Sequence, residues 1–280
     1  MRIPDLKIHK KKHLFYLLGT DESTIQKLIQ NVKPFYEKIE INKVALSLQD
    51  DGTLVEKIKK RTVYSPNKLL KHIQHRILKK MLRKCVFPVQ VMGGLPRRDN
   101  VQNAKMHQGL KYHLVTDIRN FFPSVSHEKI YGIYLELGCS HDVSHILTPL
   151  TTFQGKLPQG APTSCDLANL FFLPYDLKLI EYCSSNSIVY SRFVDDLAFS
   201  STASLEPHVQ NLLEIISSSG LRIHYGKTHV KVGPVDITGA TVHNNELRIT
   251  KSFEAKLRQE EQSDDSRRGR ENYKQRVENA

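Results

Sequence analysis

Two aspartates stand side by side inside an apolar segment, Phe193-Val194-Asp195-Asp196-Leu197. Burying carboxylates in such a run costs several kcal/mol per ion unless something pairs with them. A surface turn or a divalent cation removes that cost. A third aspartate, Asp117, breaks the same pattern near the end of the strand-like stretch Tyr112-His-Leu-Val-Thr-Asp117-Ile118. Hard Mg²⁺ takes a few carboxylate oxygens and fills its remaining positions with water and substrate phosphates. Three aspartates on two neighbouring strands suit two such ions about 3.5–4 Å apart, the arrangement that serves in-line phosphoryl transfer. Alone, an Asp-Asp pair is more often a turn or a solvated face, so its neighbours decide its meaning.

The elements that must position these groups follow from pattern. Ile188–Phe199 reads as a β-hairpin with the acidic pair at its tip, and Tyr112–Ile118 as a strand with β-branched alternation. Ser164–Cys183 reads as a long apolar helix with Asp166 near its start, behind a Gly/Pro-rich loop over Gly155–Thr163. Residues 126–150 are helical in pattern, and 205–219 form an amphipathic helix ended by Gly220. Leu69, Leu70, Ile73, Ile77, Leu78, Met81 and Leu82 recur at helical spacing, which predicts a helix from Asn67 to about Lys84. Its opposite face carries Lys68, Lys71, His72, His75, Lys79, Lys80 and Arg83, a side suited equally to solvent and to phosphate. Residues 1–60 read as helical and basic, with Thr20 or Asp21 capping a helix over Ser23–Val32 and Gly52 marking a turn between two short strands. Short strands alternate from His229 to Thr250 around a turn at Asn244-Asn245, and the polar tail after Glu260 reads as disordered, or ordered only on a partner.

The chain has 280 residues, with 41 Lys+Arg against 29 Asp+Glu and a net charge of +12. That length supports a real hydrophobic core, and 39% apolar residues exclude a collagen-like or wholly disordered chain. A pI near 9.4 points to an anionic partner, most commonly nucleic acid. No apolar run reaches membrane-spanning length. Met1–Lys12 is basic without a secretory leader's apolar region behind it, so the expected location is the cytoplasm. Cys85, Cys139, Cys165 and Cys183 are scattered, without zinc spacing, and read as free thiols.

Four blocks in order, Asp117-Ile-Arg-Asn-Phe-Phe122, Leu157-Pro-Gln-Gly-Ala-Pro-Thr-Ser164, Phe193-Val-Asp-Asp196 and Gly220-Leu to Lys227-Thr228, resemble the palm motifs of reverse transcriptases. Asn103-Ala104-Lys-Met-His107 is similar to the N-A-x-x-H segment of bacterial retron reverse transcriptases, and Ile237-Thr238-Gly239 to their V-T-G segment. The likeness covers at least residues 55–250. It implies an α+β right-hand polymerase with fingers, a palm built on an antiparallel sheet, and a small thumb. The expected division is a basic helical extension over 1–40, fingers over 41–110, a palm over 111–235 with a finger insertion at about 140–165, and a reduced thumb with polar tail over 236–280.

The resemblance also implies roles. Asp117, Asp195 and Asp196 match the metal-binding aspartates, Asp117 and Asp195 as direct ligands of two Mg²⁺ ions, or of Mn²⁺ in their place. Ile118 matches the position whose carbonyl completes a metal shell. Lys227 matches the lysine that protonates the leaving pyrophosphate. Phe122 matches the steric gate against a ribose 2′-OH, although without the motif it reads as a core phenylalanine. Gln159 and Gly160 match the loop packed against the incoming nucleotide and template, Arg61 a triphosphate-binding arginine or one more surface base, and Arg98 the arginine of a G-R-S segment. The sequence departs from the family pattern at Phe193 for Tyr, Val194 for Ala, Cys165 for Pro, and Arg97-Arg98-Asp99 for G-R-S.

The implied function is RNA-directed DNA synthesis of the retron type. Its partners are a structured noncoding RNA as template and primer, the RNA–DNA hybrid, deoxynucleoside triphosphates and an effector protein; its setting is antiphage defence. The alternatives are another bacterial defence-associated reverse transcriptase, a polymerase of another class on the same palm, and a non-catalytic RNA-binding protein on a polymerase fold.

Overall fold

The computed structural model describes residues 2–48, 54–258 and 264–280. In chain order the elements are α1 (Lys11–Leu18), α2 (Glu22–Gln30), β1 (Tyr36–Leu48), β2 (Leu54–Pro66), α3 (Lys68–Lys80), α4 (Asn100–Lys105), β3 (Tyr112–Arg119), α5 (Phe121–Ser124), α6 (His127–Glu136), α7 (His141–Thr151) and α8 (Ser164–Ser185). They continue with β4 (Val189–Phe193), β5 (Asp196–Ser201), α9 (Val209–Ser217), β6 (Arg222–Ile223), β7 (His229–Val232), β8 (Val235–Ile237), β9 (Ala240–Val242), β10 (Leu247–Ile249), α10 (Lys251–Leu257) and α11 (Asp264–Glu278). The chain divides into two compact units, Met1–Phe87 with Asn120–Phe171, and Pro88–Arg119 with Phe172–Ala280. No helix among the described residues is long and apolar enough to cross a membrane.

The first unit is helical around a core that includes Leu14, Leu18, Ile25, Leu28, Leu70, Ile73, Ile77, Val143 and Leu147, all fully buried. Side-chain caps start its helices where the sequence offers them: Asp21 on α2, Asn67 on α3 and Ser140 on α7 each accept from a backbone N–H three residues on. Gln74, buried in α3, donates to the Tyr36 hydroxyl at 2.9 Å and the Leu150 carbonyl at 2.8 Å. These bonds anchor the base of the antiparallel β1–β2 ribbon, where Tyr36 and Tyr64 also pack on Phe153.

That ribbon corrects the reading of residues 1–60 as helical: β1 and β2 pair from Tyr36↔Pro66 to Leu48↔Leu54, 13 residues each rather than two short strands. Just beyond the base, Lys38, Ile39, Glu40, Ile41 and Asn42 alternate with a period of two and bury neither face, since all five are exposed. The turn expected at Gly52 lies outside the described residues. A second correction concerns Arg83. Rather than joining the basic outer face of the helix, it is half-buried with its guanidinium 3.3 Å from the buried Asp166 carboxylate. Burial pushes the Asp166 carboxyl up to about 6, with Arg83 opposing.

The second unit is built on a five-stranded antiparallel sheet, β4-β5-β3-β6 with β7 also paired to β3. A three-stranded sheet, β10-β9-β8, shares a core with α4 and α11 through Val101, Ala104, Val235, Ile237, Ala240, Val242, Leu247, Ile249 and Val277. The tail read as disordered is therefore helical over Asp264–Glu278. Tyr273 and Val277, four residues apart and so on one helical face, belong to that core, and Val277 is fully buried. Only this narrow stripe is apolar in a segment otherwise made of charged and polar side chains.

Candidate active site

The carboxylates lie where β3 and β5 pair. Asp117↔Asp196 are direct cross-strand partners, and Asp195 occupies the turn between β4 and β5. Val194 precedes it at φ +61°, a left-handed conformation that strains a β-branched residue. Several contacts hold the strained tip. The Ile118 N–H donates to the Asp195 carbonyl at 2.8 Å, and Arg192 Nη1 donates to the Val194 carbonyl at 2.8 Å. A Cβ at Gly93 would lie 2.3 Å from the Val194 nitrogen, so only glycine lets that loop close under the tip. The loop is tied in turn to β4, with Met92 N–H donating to the Arg192 carbonyl and Arg192 N–H to the Gln90 carbonyl. Arg98 braces the same loop by donating to the Pro88 and Val91 carbonyls, each at 2.5 Å.

Arg192 and Asp176 form the supporting post that sequence reading missed. Both are fully buried. Arg192 Nε and Nη2 donate to the two Asp176 carboxylate oxygens at 2.8 and 2.6 Å, a bidentate fork. The Tyr190 hydroxyl donates to Asp176 at 2.7 Å, and the Phe172 ring lies 4.9 Å beneath the guanidinium. The signal existed in the sequence: a charged residue within the apolar hairpin strand, and an aspartate midway along the apolar α8 segment.

Asp117 is buried, and Lys227 reaches it across 110 residues of sequence, with Nζ donating to Oδ2 at 2.5 Å. The backbone delivers that lysine. His224 N–H donates to the Asp117 carbonyl, and Lys227 N–H to the His224 carbonyl, both at 2.8 Å. Thr116 and Thr228 join hydroxyls at 2.7 Å. Burial works against the Lys227 charge, but the hydrogen bond and charge of Asp117, then the charges of Asp196 and Asp195, outweigh it and raise the ammonium above its ordinary value. Asp196 is exposed as a residue, yet its carboxyl is pushed up to about 7. Crowding by surrounding protein is the largest cause, followed by the like charges of Asp195 and Asp117, with Lys227 opposing.

An excess of closely placed negative charge with oxygen-only donors is the chemistry that a hard divalent cation neutralises. As the side chains stand, no three His, Cys, Asp or Glu groups among the described residues converge on one ion.

Asp117, Asp196 and Lys227 line a cleft of about 450 Å³ together with Asn103, His229 and Thr238. Here the two short segments that narrowed the resemblance meet. Asn103 Nδ2 donates to Thr238 Oγ1 at 3.1 Å, Thr238 Oγ1 to the Asn100 carbonyl at 3.2 Å, and Asn100 Nδ2 to the Thr238 carbonyl at 2.9 Å. His107 explains the last letter of its segment. Its two ring nitrogens hydrogen-bond the hydroxyls of Ser200 and Ser191, each at 2.7 Å, which pins the helix α4 region to β4 and β5.

Burial holds the His107 ring uncharged, with its pKa down at about 3 against an ordinary 6.5, and His113 adds to the effect. The unfolded chain therefore takes up a proton below pH 6.5 that the folded chain refuses until about pH 3. Stability must fall as pH drops through that window, by up to about 1.4 kcal/mol per pH unit from this ring. Denaturant midpoints measured from pH 7 to pH 4 should show His107→Gln losing about one proton's worth of that slope; an unchanged slope would contradict the assignment.

Ile118 lies on β3 of the second unit, buried, opposite Ile223. In the first unit, Arg61, Gln159 and Gly160 come together. Arg61 Nε donates to Gln159 Oε1 at 2.6 Å, and Tyr64 N–H to the Gln159 carbonyl at 2.9 Å. Gly160 has φ +109°, and a Cβ there would lie 2.5 Å from Val63 Cγ1. Phe122, also in the first unit, is half-buried with its ring 5.8 Å from that of the buried Phe121.

A family model described as reverse transcriptase (RNA-dependent DNA polymerase) matches residues 17–242. The chain is similar to the retron Ec86 reverse transcriptase of Escherichia coli, 33% identical over 195 residues, covering 68% of this chain and 60% of that one. It is also similar to the retron Se72 reverse transcriptase of Salmonella heidelberg, 28% identical over 246 residues, covering 84% and 62%. The chain thus spans about 60% of the length of these two relatives. Among solved structures, telomerase from Candida albicans in complex with a fragment of telomeric RNA superposes with a TM-score of 0.52 at 13% identity, covering 82% of this chain and 50% of that one, a likeness of fold. Matched over a span that takes in all three aspartates and Lys227, the chain belongs to the reverse transcriptase (RNA-dependent DNA polymerase) family.

Proposed function

We propose that this chain is an RNA-directed DNA polymerase of the retron type, copying a structured noncoding RNA into DNA in the cytoplasm as part of antiphage defence. The observation that carries the reading is the direct pairing of Asp117 with Asp196, beside Asp195 in the strained turn and Lys227 on Asp117. The retron assignment is supported by the similarity to retron enzymes and by the contact between the Asn103 and Thr238 segments.

In this reading the 3′ end of a primer attacks the α-phosphate of a deoxynucleoside triphosphate. Two Mg²⁺ ions on Asp117, Asp195 and Asp196 would activate the attacking hydroxyl and neutralise charge on the pyrophosphate. The chain's own groups do the rest by positioning, which is most of what phosphoryl transfer asks. The Arg61 guanidinium takes triphosphate oxygens with Gln159 and Gly160 shaping the loop, and Lys227, kept protonated at Nζ, supplies a proton to the leaving pyrophosphate. Fingers over 41–110 and 140–165, a palm over 111–235 and a reduced thumb beyond are the division this reading adopts.

Sequencing nucleic acid that copurifies with the protein tests the reading. A branched or linear DNA complementary to one RNA is expected, and it should vanish with Asp195→Ala and Asp196→Ala. The Phe122 gate has its own test. Phe122→Ala should raise ribonucleotide incorporation relative to deoxynucleotide by about 10-fold or more, since the bulk of the ring is the discriminator. A variant with unchanged preference would remove Phe122 from that role.

A further inference from the structure

One face of α3 is left unused by the proposed chemistry. Lys68, Lys71, His72, His75 and Lys79 are all exposed, and their spacing puts them on one side of the helix. The eleven steps from Lys68 to Lys79, at about 1.5 Å rise each, make the stripe about 16 Å long, enough to follow several successive phosphates. The helix contains no acidic residue, and no member of the stripe forms an ion pair among the described residues. A merely solvated helix face gains from mixed charges at i,i+4, and this face has none.

Beside the stripe, the end of α1 and the flank of α3 enclose a pocket of about 470 Å³ lined by Tyr16, Gly19, Arg76 and Lys80 among others. Arg76 Nε donates to the Leu17 carbonyl at 2.9 Å, which fixes its guanidinium at the pocket wall. Tyr16 is 81% exposed, the most open of the large apolar side chains among the described residues. An open aromatic ring next to two cations is the combination that stacks an unpaired base while its phosphates are held.

We infer that the α1–α3 face is a nucleic-acid docking surface separate from the catalytic carboxylates. It would take the phosphate backbone of duplex RNA along the lysine stripe and an unpaired flanking base on Tyr16. The stripe belongs to the first unit and the carboxylates to the second. RNA as the partner rests on the function proposed above; the phosphate-binding face rests on the residues themselves.

The test compares the parent with a Lys68→Gln, Lys71→Gln, Lys79→Gln triple variant, its Lys→Arg counterpart, and Tyr16→Ala. Binding of an RNA hairpin with a single-stranded flank is measured across a salt series, and extension of a short linear primer-template is measured alongside. The Gln triple should lower the slope of log affinity against log salt by about 2–3, and the Arg triple should keep it. Tyr16→Ala should weaken the flanked hairpin by about 5- to 150-fold and leave a blunt duplex unaffected. Short primer extension should be unchanged in all three. An unaltered salt slope in the Gln triple, or a parent that binds anionic vesicles but not the hairpin, overturns the inference. Loss of primer extension in the parent itself would instead count against the polymerase reading, while the binding arms still decide this surface.

Discussion

Asp195→Asn will slow deoxynucleotide addition by at least about 10³-fold, roughly 4 kcal/mol of transition-state stabilisation, while leaving the fold as stable as the parent or more so. The two halves of that result come from one cause. The carboxylates are crowded enough that Asp195 and Asp117 both push the Asp196 carboxyl upward, so removing one charge relieves repulsion in the metal-free protein. The same charge is what a divalent cation needs during phosphoryl transfer, so its loss falls on the rate. A thermal melt and a single-turnover extension assay read the two quantities separately. A variant that loses both rate and stability would make Asp195 a structural residue, and one that extends at the parental rate would remove it from the chemistry.

Asp176→Ala should be the most destabilising single change, at about 3–5 kcal/mol, because it leaves the Arg192 charge fully buried without its carboxylate. Tyr190 loses its hydrogen-bond acceptor in the same step. For a protein of this size the melting temperature should fall by about 5–9 °C. Replacing both partners, as in Asp176→Leu with Arg192→Met, should recover much of that loss, since an apolar pair carries no unpaired charge. Extension activity should not return with it. Arg192 also donates to the Val194 carbonyl at the strained turn that presents Asp195 and Asp196, and methionine cannot. Recovery of stability and activity together would show that the arginine merely fills space.

The clustered aspartates were legible because each violates its surroundings: aspartates in apolar strands are costly enough to demand a reason. Lys227 was legible only through the motif resemblance, since nothing local in Tyr225-Gly-Lys227-Thr228 announces a partner 110 residues away. Arg98 fitted a substrate role by position, but its guanidinium braces the loop beneath the hairpin, a contact made by carbonyls that no side-chain pattern reveals. The β1–β2 ribbon carried a strand signal in the alternation of Lys38, Ile39, Glu40, Ile41 and Asn42, which the helical reading of a charge-rich segment passed over; Ile39 and Ile41 stay exposed, so no core contact reinforces it. The C-terminal helix was hidden by composition: Tyr273 and Val277 hold it to the three-stranded sheet, and two residues are too few to outweigh a charged segment in a hydropathy reading. Arg83 was counted with its basic neighbours, and only the fold brings the buried Asp166 to meet it.

Divalent-metal polymerase chemistry at Asp117, Asp195 and Asp196 is decided by primer extension on an RNA template with the full chain as Mg²⁺ is titrated. The expected result is addition of the deoxynucleotide complementary to the template, saturating with Mg²⁺, abolished by chelation and lost in Asp117→Asn. Extension that persists without divalent cations, or that proceeds equally well in Asp117→Asn, would contradict it.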